Sequence, residues 1–158
     1  GIHTGRAIIG NMGYDERLNY TAVGDTVNTA SRLEGINKFY GTNIIISDDT
    51  YNIVSGSFVT RRLDRIIVKG KTSWLAIHEL LGEKGATEGD MEEFAEIYNN
   101  ASDLFYARDW DRAADLFAEA EKLRKGDRAA LRMLKYCVHY LEHPPSASWK
   151  GIVKFNSK

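Results

Sequence analysis

The 158-residue chain has two prolines, one cysteine and almost no net charge, its 21 basic side chains standing against 22 acidic ones. Each scarcity excludes something. A single Cys137 cannot build an intrachain disulfide framework, so a packed core must hold the fold, and a reducing compartment suits the chain. No apolar run approaches the ~18 residues that span a bilayer, and no secretory signal pattern is present in these residues. A cytoplasmic location is expected, the variant being the cytoplasmic part of a membrane-anchored protein. Charges of both signs are mixed along the whole length, which leaves no basic face and argues against a nucleic-acid partner. At 43% hydrophobic and 27% charged residues, the composition fits ordered globular material of one domain or two small ones.

What is present is organised around the stretch 19–34, which reads as a short strand, a turn at Gly24 and a helix with Asp25 as its N-cap. The helix is expected to reach Tyr40, with Gly41 just past its end. Asn28 and Arg32 stand four residues apart on one stripe; Ala30, Leu33, Ile36 and Tyr40 form a second stripe at core-facing spacing. Before it, glycines frame a strand at Ala7-Ile8-Ile9 with a bulge or tight bend, and His3 has no second metal ligand at close spacing. After it come a strand at 43–47, a brief helix capped by Ser47 or Asp48, and strands at 58–63, 65–68 and 74–81 with Gly70 in the last turn.

The character then changes. Three glycines between 82 and 90 mark a linker. Apolar residues at helical spacing predict three amphipathic helices within 91–143, broken near Arg108-Asp109 and Lys125-Gly126-Asp127. Cys137 falls on the apolar stripe of the third and reads as a core thiol. Pro144-Pro145 ends that helix, and the tail 144–158 is basic. The expected division is therefore 1–82, a linker 83–90, a helical segment 91–143 and a tail 144–158.

Four segments carry a family resemblance: Gly1-Ile2-His3-Thr4-Gly5-Arg6-Ala7, Gly10-Asn11-Met12-Gly13, the run Gly24-Asp25-Thr26-Val27-Asn28-Thr29-Ala30-Ser31-Arg32-Leu33, and Val68-Lys69-Gly70-Lys71. Their order and spacing resemble the class III nucleotidyl cyclases, the catalytic domains of adenylate and guanylate cyclases, over roughly the first 80 residues. In that family the domain begins upstream with two metal-binding aspartates and a purine-contacting lysine, and this chain starts after them. The resemblance implies an α+β fold, a partial ferredoxin-like sheet with helices. A small all-α appendage follows, and its first two helices resemble a tetratricopeptide pair through Ala101, Ala113, Phe117 and Ala120.

The resemblance also implies a chemistry. A cyclase closes a nucleoside triphosphate to a 3′,5′-cyclic monophosphate: the ribose 3′ oxygen attacks the α-phosphorus in line and pyrophosphate leaves. It places the transition-state pair on Asn28 and Arg32, the terminal-phosphate cation on Lys69 and the base-selecting position on Thr21, where threonine favours adenine over guanine. The expected substrate is ATP, with GTP as the alternative. Mg2+ or Mn2+ is expected on ligands outside this chain, so no metal ligand is assigned within it and the chain alone is expected to be inactive. A homodimer is expected, because family sites form head to tail between subunits and because missing strands would leave a sheet edge open. An upstream sensor or membrane region of the same protein fits the same picture. Two other readings compete: a non-catalytic regulatory module acting through the helices, and a domain that binds a nucleotide without turning it over.

Overall fold

Two glycines bracket the helix on which the candidate site is built. The computed structural model, which describes residues 1–14, 17–87 and 89–155, places this helix, α1, at Asp25–Tyr40. Gly24 precedes it at φ 138° and Gly41 follows it in the left-handed conformation at φ 71°, a geometry that side chains resist. Leu33, Ile36 and Tyr40 are buried as the spacing predicts, but Thr29 joins them in place of Ala30. Asp25 is not the N-cap. That position belongs to Gly24, and no side chain caps the helix start.

Ahead of α1 stands a hairpin, β1 (Ile8–Tyr14) and β2 (Arg17–Val23), paired antiparallel as its own two-stranded sheet. The expected bulge is absent, since the register runs without a shift from Ile8↔Val23 to Tyr14↔Arg17. Ile8, Ile9 and Tyr20 on this hairpin are exposed.

The main sheet has four strands in the order β3-β5-β4-β6, formed by β3 (Ile45–Ser47), β4 (Phe58–Ile67), β5 (Leu75–Glu83) and β6 (Ile152–Lys154). Between β3 and β4 lies α2 (Asp48–Val54), capped by Ser47, whose Oγ accepts from the Thr50 amide at 3.3 Å. Where the sequence suggests two strands divided near Asp64 there is one, β4, with a register shift between Arg62 and Asp64. The shift turns two successive residues, Leu63 and Asp64, into the interior. The tail also departs from expectation: 152–154 forms a strand parallel to β4.

The helical segment is α3 (Met91–Tyr106), α4 (Trp110–Leu123) and α5 (Arg128–Glu142), with breaks where the charged and glycine residues predict them. Phe94, Tyr98, Phe105, Phe117, Met133 and Cys137 from these helices join Leu33, Tyr40, Leu63, Ile66 and Ile77 in one continuous core. Burial of each large side chain contributes ~1.5–3 kcal/mol. Ala101, Ala113, Phe117 and Ala120 are fully buried.

Polar groups fix how the helices meet the sheet. On the outer edge of β4, Asn99 of α3 accepts from the Arg62 amide at 2.8 Å and donates to the Thr60 carbonyl at 3.0 Å. Further along the same edge β6 takes over at Arg65↔Ile152. Along this edge the chain's own helix and tail supply the pairing partners. On the β3 side, among the described residues, only Ile2 pairs, through its amide to the Ile45 carbonyl at 2.8 Å and its carbonyl from the Ser47 amide at 3.0 Å.

On β4, opposite Glu79 of β5, Arg61 is 1% exposed. Its Nε donates to Glu79 at 2.7 Å, and its two terminal nitrogens donate to the two Asp127 oxygens at 2.8 Å each. Asp127 also caps α5 by accepting from the Ala130 amide at 2.8 Å. Burial works against the Arg61 charge, but the Asp127 hydrogen bond and the surrounding carboxylates outweigh it and raise its pKa. One guanidinium therefore ties β4, β5 and the start of α5 together.

Candidate active site

The glycines of the first segment are there because backbone lies directly on α1. A Cβ on Gly1 would stand 2.2 Å from the Ala30 carbonyl oxygen, and one on Gly5 2.6 Å from Thr26 Oγ1. Thr26 Oγ1 in turn donates to the Arg6 carbonyl at 2.6 Å. The entry to the hairpin is thereby pinned to the first turn of α1. His3 sits in the same belt, with Nδ1 2.8 Å from Ser47 Oγ.

On the outward stripe of α1, Asn28 is exposed and Arg32 partly exposed. The amide of Asn28 closes the first helical hydrogen bond to the Gly24 carbonyl at 3.1 Å, leaving its side chain free to face outward. Arg32 reaches the turn between β4 and β5: its Nη2 lies 3.5 Å from where a Cβ on Gly70 would be. That turn is closed by the Lys71 amide donating to the Val68 carbonyl at 3.0 Å, with Gly70 at φ 77°. Lys69 is exposed at its tip.

The turn is also attached to α1 by charge. Lys71 Nζ donates to the Asp25 carboxylate, and that hydrogen bond, reinforced by the Lys71 and Arg32 charges, holds the Asp25 pKa below the ordinary range. Asp25 is therefore the partner of Lys71. Among the described residues no carboxylate forms an ion pair with Arg32.

Of the four residues singled out from sequence, the structure brings Arg32 and the Lys69 turn together and sets Asn28 on the stripe that carries Arg32. Thr21 lies elsewhere, on β2 opposite Gly10, with its side chain exposed. Among the described residues no hydrogen bond joins it to the other three. The Asp25–Lys71 pair was not visible in the sequence, because its members are 46 residues apart and share no periodicity.

This rim carries two cations without an ion-pair partner among the described residues, Arg32 and the exposed Lys69, which are suited to holding phosphate oxygens, while Lys71 is paired with Asp25. It does not suit a metal ion: among the described residues no three His, Cys, Asp or Glu side chains converge on a point that could hold one. Among those residues, too, no helix is long and apolar enough to cross a membrane.

Comparison with known proteins finds relatives for the first half of the chain. Residues 1–82 match the family model for the adenylate and guanylate cyclase catalytic domain. Adenylate cyclase 1 of Rhizobium meliloti is 48% identical over 82 residues, covering 52% of this chain and 12% of its own length. The terminal-differentiation specific adenylate cyclase of Dictyostelium discoideum is 32% identical over 146 residues, covering 90% of this chain and 7% of its own length. The crystal structure of the adenylyl cyclase CyaB from P. aeruginosa superposes with a TM-score of 0.47 at 31% identity, over 54% of this chain and 43% of that one. The chain thus spans a small part of the curated relatives it matches.

Proposed function

Residues 1–82 belong to the adenylate and guanylate cyclase catalytic domain family, and from that membership we propose that the chain supplies the phosphate-stabilising part of an adenylate cyclase that converts ATP to 3′,5′-cyclic AMP and pyrophosphate. The observation that carries this reading is the approach of Arg32 to the Lys69 turn, with Asn28 one turn earlier on the same stripe.

In-line attack by the ribose 3′ oxygen builds negative charge on the non-bridging α-phosphoryl oxygens and on the departing pyrophosphate. Arg32 offers planar, permanently charged donors to the former; Lys69, a mobile point charge, meets the terminal phosphates. Asn28 hydrogen-bonds the ribose region and keeps the attacking hydroxyl in line. Thr21 takes the base-selecting role on the family assignment, its hydroxyl accepting from the adenine amino group; GTP is the alternative substrate. A divalent ion, as the family uses, would neutralise the triphosphate, but among the described residues no cluster of His, Cys, Asp or Glu side chains forms its site. For the same reason the 158 residues alone are expected to make no cyclic nucleotide. The acidic half of the site is proposed to come from a partner subunit or from further sequence of the same protein, in a head-to-tail dimer.

The test supplies the aspartate-bearing N-terminal half of a family catalytic domain, fused or as a separate subunit, and measures cyclic AMP. Product is expected only in the assembled enzyme, and Arg32→Ala and Asn28→Ala are each expected to lower turnover by about 100-fold or more. Full activity in either variant would overturn the assignment. Tight nucleotide binding without product would favour the reading of a domain that binds but does not react.

A further inference from the structure

The turn that carries Lys69 is rooted in the core at Val68, 1% exposed, but residues 69–74 beyond it are exposed or half-buried. The β4–β5 ladder begins at Ile66↔Leu75, so residues 68–74 lie beyond the last paired position of the hairpin. Among the described residues the only side-chain hydrogen bond made by this segment runs from Lys71 to Asp25. Asp25, Asn28 and Arg32 stand at i, i+3 and i+7, so the attachment point lies on the very stripe that bears the proposed catalytic pair. Lys71 is the less exposed member, 28% against 68% for Asp25, and its charge is committed to that carboxylate. Lys69, two residues earlier, is exposed and has no ion-pair partner among the described residues.

We propose that Asp25 and Lys71 are positioning residues: they clasp the turn 68–71 to the first turn of α1 and so set the distance between Lys69 and the Asn28–Arg32 pair. Lys71 acts through Asp25 and does not itself take a substrate phosphate. This rests on the cyclase reading of Asn28 and Arg32. A direct role for Lys71 makes the opposite forecast for Asp25, because removing the carboxylate would then free a cation for the triphosphate.

The two are separated in the assembled enzyme described above by steady-state kinetics of Asp25→Ala, Lys71→Ala and the reversed pair D25K/K71D. For the clasp, each single substitution is expected to raise KM for the nucleotide about fivefold, the most that an exposed ion pair usually contributes, with a smaller change in kcat. The reversed pair is expected to recover most of that loss. The clasp is overturned if Asp25→Ala leaves KM unchanged or lowers it, or if the reversed pair is no better than Lys71→Ala alone. Arg32→Ala serves as the control: if that variant keeps full activity, it is the cyclase reading that has failed, whereas its loss alongside a neutral Asp25→Ala rejects only the clasp.

Discussion

Arg61 and Arg32 put the same guanidinium into opposite surroundings. Arg61 is closed in between Glu79 and Asp127, with the Phe94 and Tyr98 rings 4.8 and 4.6 Å from its centre. Arg32 stands on the rim beside a glycine, with no ion pair among the described residues. A buried cation survives only if every donor is met, so its chemistry is spent on the fold. A rim cation flanked by a residue without a side chain keeps its donors for a ligand. From this difference, substitution on the outward face of α1 is expected to leave the packing intact, whereas substitution of Arg61 is expected to disturb it.

The comparison breaks most visibly in stability. Arg61→Met is expected to cost about 3–5 kcal/mol, because Glu79 and Asp127 remain buried without a counter-charge. Arg32→Ala is expected to cost under about 0.5 kcal/mol, as substitutions outside the packed interior do. Urea denaturation of the chain measures both. Equal losses would mean that Arg32 is also part of the packing, and its proposed role at phosphate would lose its physical basis.

A smaller effect sharpens the view of the interior. Asp64 is buried on β4, where it accepts from Tyr40 of α1 at 2.8 Å, from Tyr106 of α3 at 3.1 Å and from the Arg65 amide at 2.9 Å. Burial raises its pKa and these hydrogen bonds oppose the rise. Tyr106→Phe removes one donor and keeps the ring, so a loss of about 1–3 kcal/mol is expected. No change would show that the Tyr106 hydroxyl contributes nothing to holding α3 on the sheet, leaving Asn99 and the Arg61–Asp127 pair among its polar links to the helices.

Local periodicity made α1 and the three later helices legible, since Leu33, Ile36 and Tyr40, or Phe94, Tyr98 and Phe105, repeat at helical spacing whatever they pack against. The pairings between distant segments were not legible. Arg61, Glu79 and Asp127 read as ordinary surface charges until β4, β5 and α5 are brought together. Asp64 looked like a break between two strands because a lone carboxylate amid apolar residues has no local sign of the two tyrosines that receive it. The tail 144–158 looked merely basic, although Ile152 and Val153 supply a strand once an edge is offered. At the candidate site, Asn28 and Arg32 were visible as an i, i+4 pair, whereas the partnership of Asp25 with Lys71 needed the turn to fold back over the helix.

The smallest expected effect is one of pH, at His78 of β5, which lies across from Arg62 on β4. It is 3% exposed, stacked on Tyr51 at 4.0 Å, with Nε2 3.1 Å from the Asp48 carboxylate. Burial lowers its pKa and the Asp48 hydrogen bond only partly restores it. The unfolded chain takes up this proton near pH 6.5 while the folded chain does not, so the contribution is full above about 6.5 and is lost as pH falls through the lower folded value. Asp64 and Glu79, both raised by burial, act in the other sense, favouring the folded state as pH falls toward the ordinary carboxylate range. The difference between wild type and His78→Gln isolates the imidazole. Between about pH 7.5 and 5.5 the wild type is expected to lose stability relative to the variant, by at most ~1.4 kcal/mol per pH unit. Parallel curves would mean that His78 protonates as freely in the fold as in the unfolded chain, with Asp48 fully offsetting its burial.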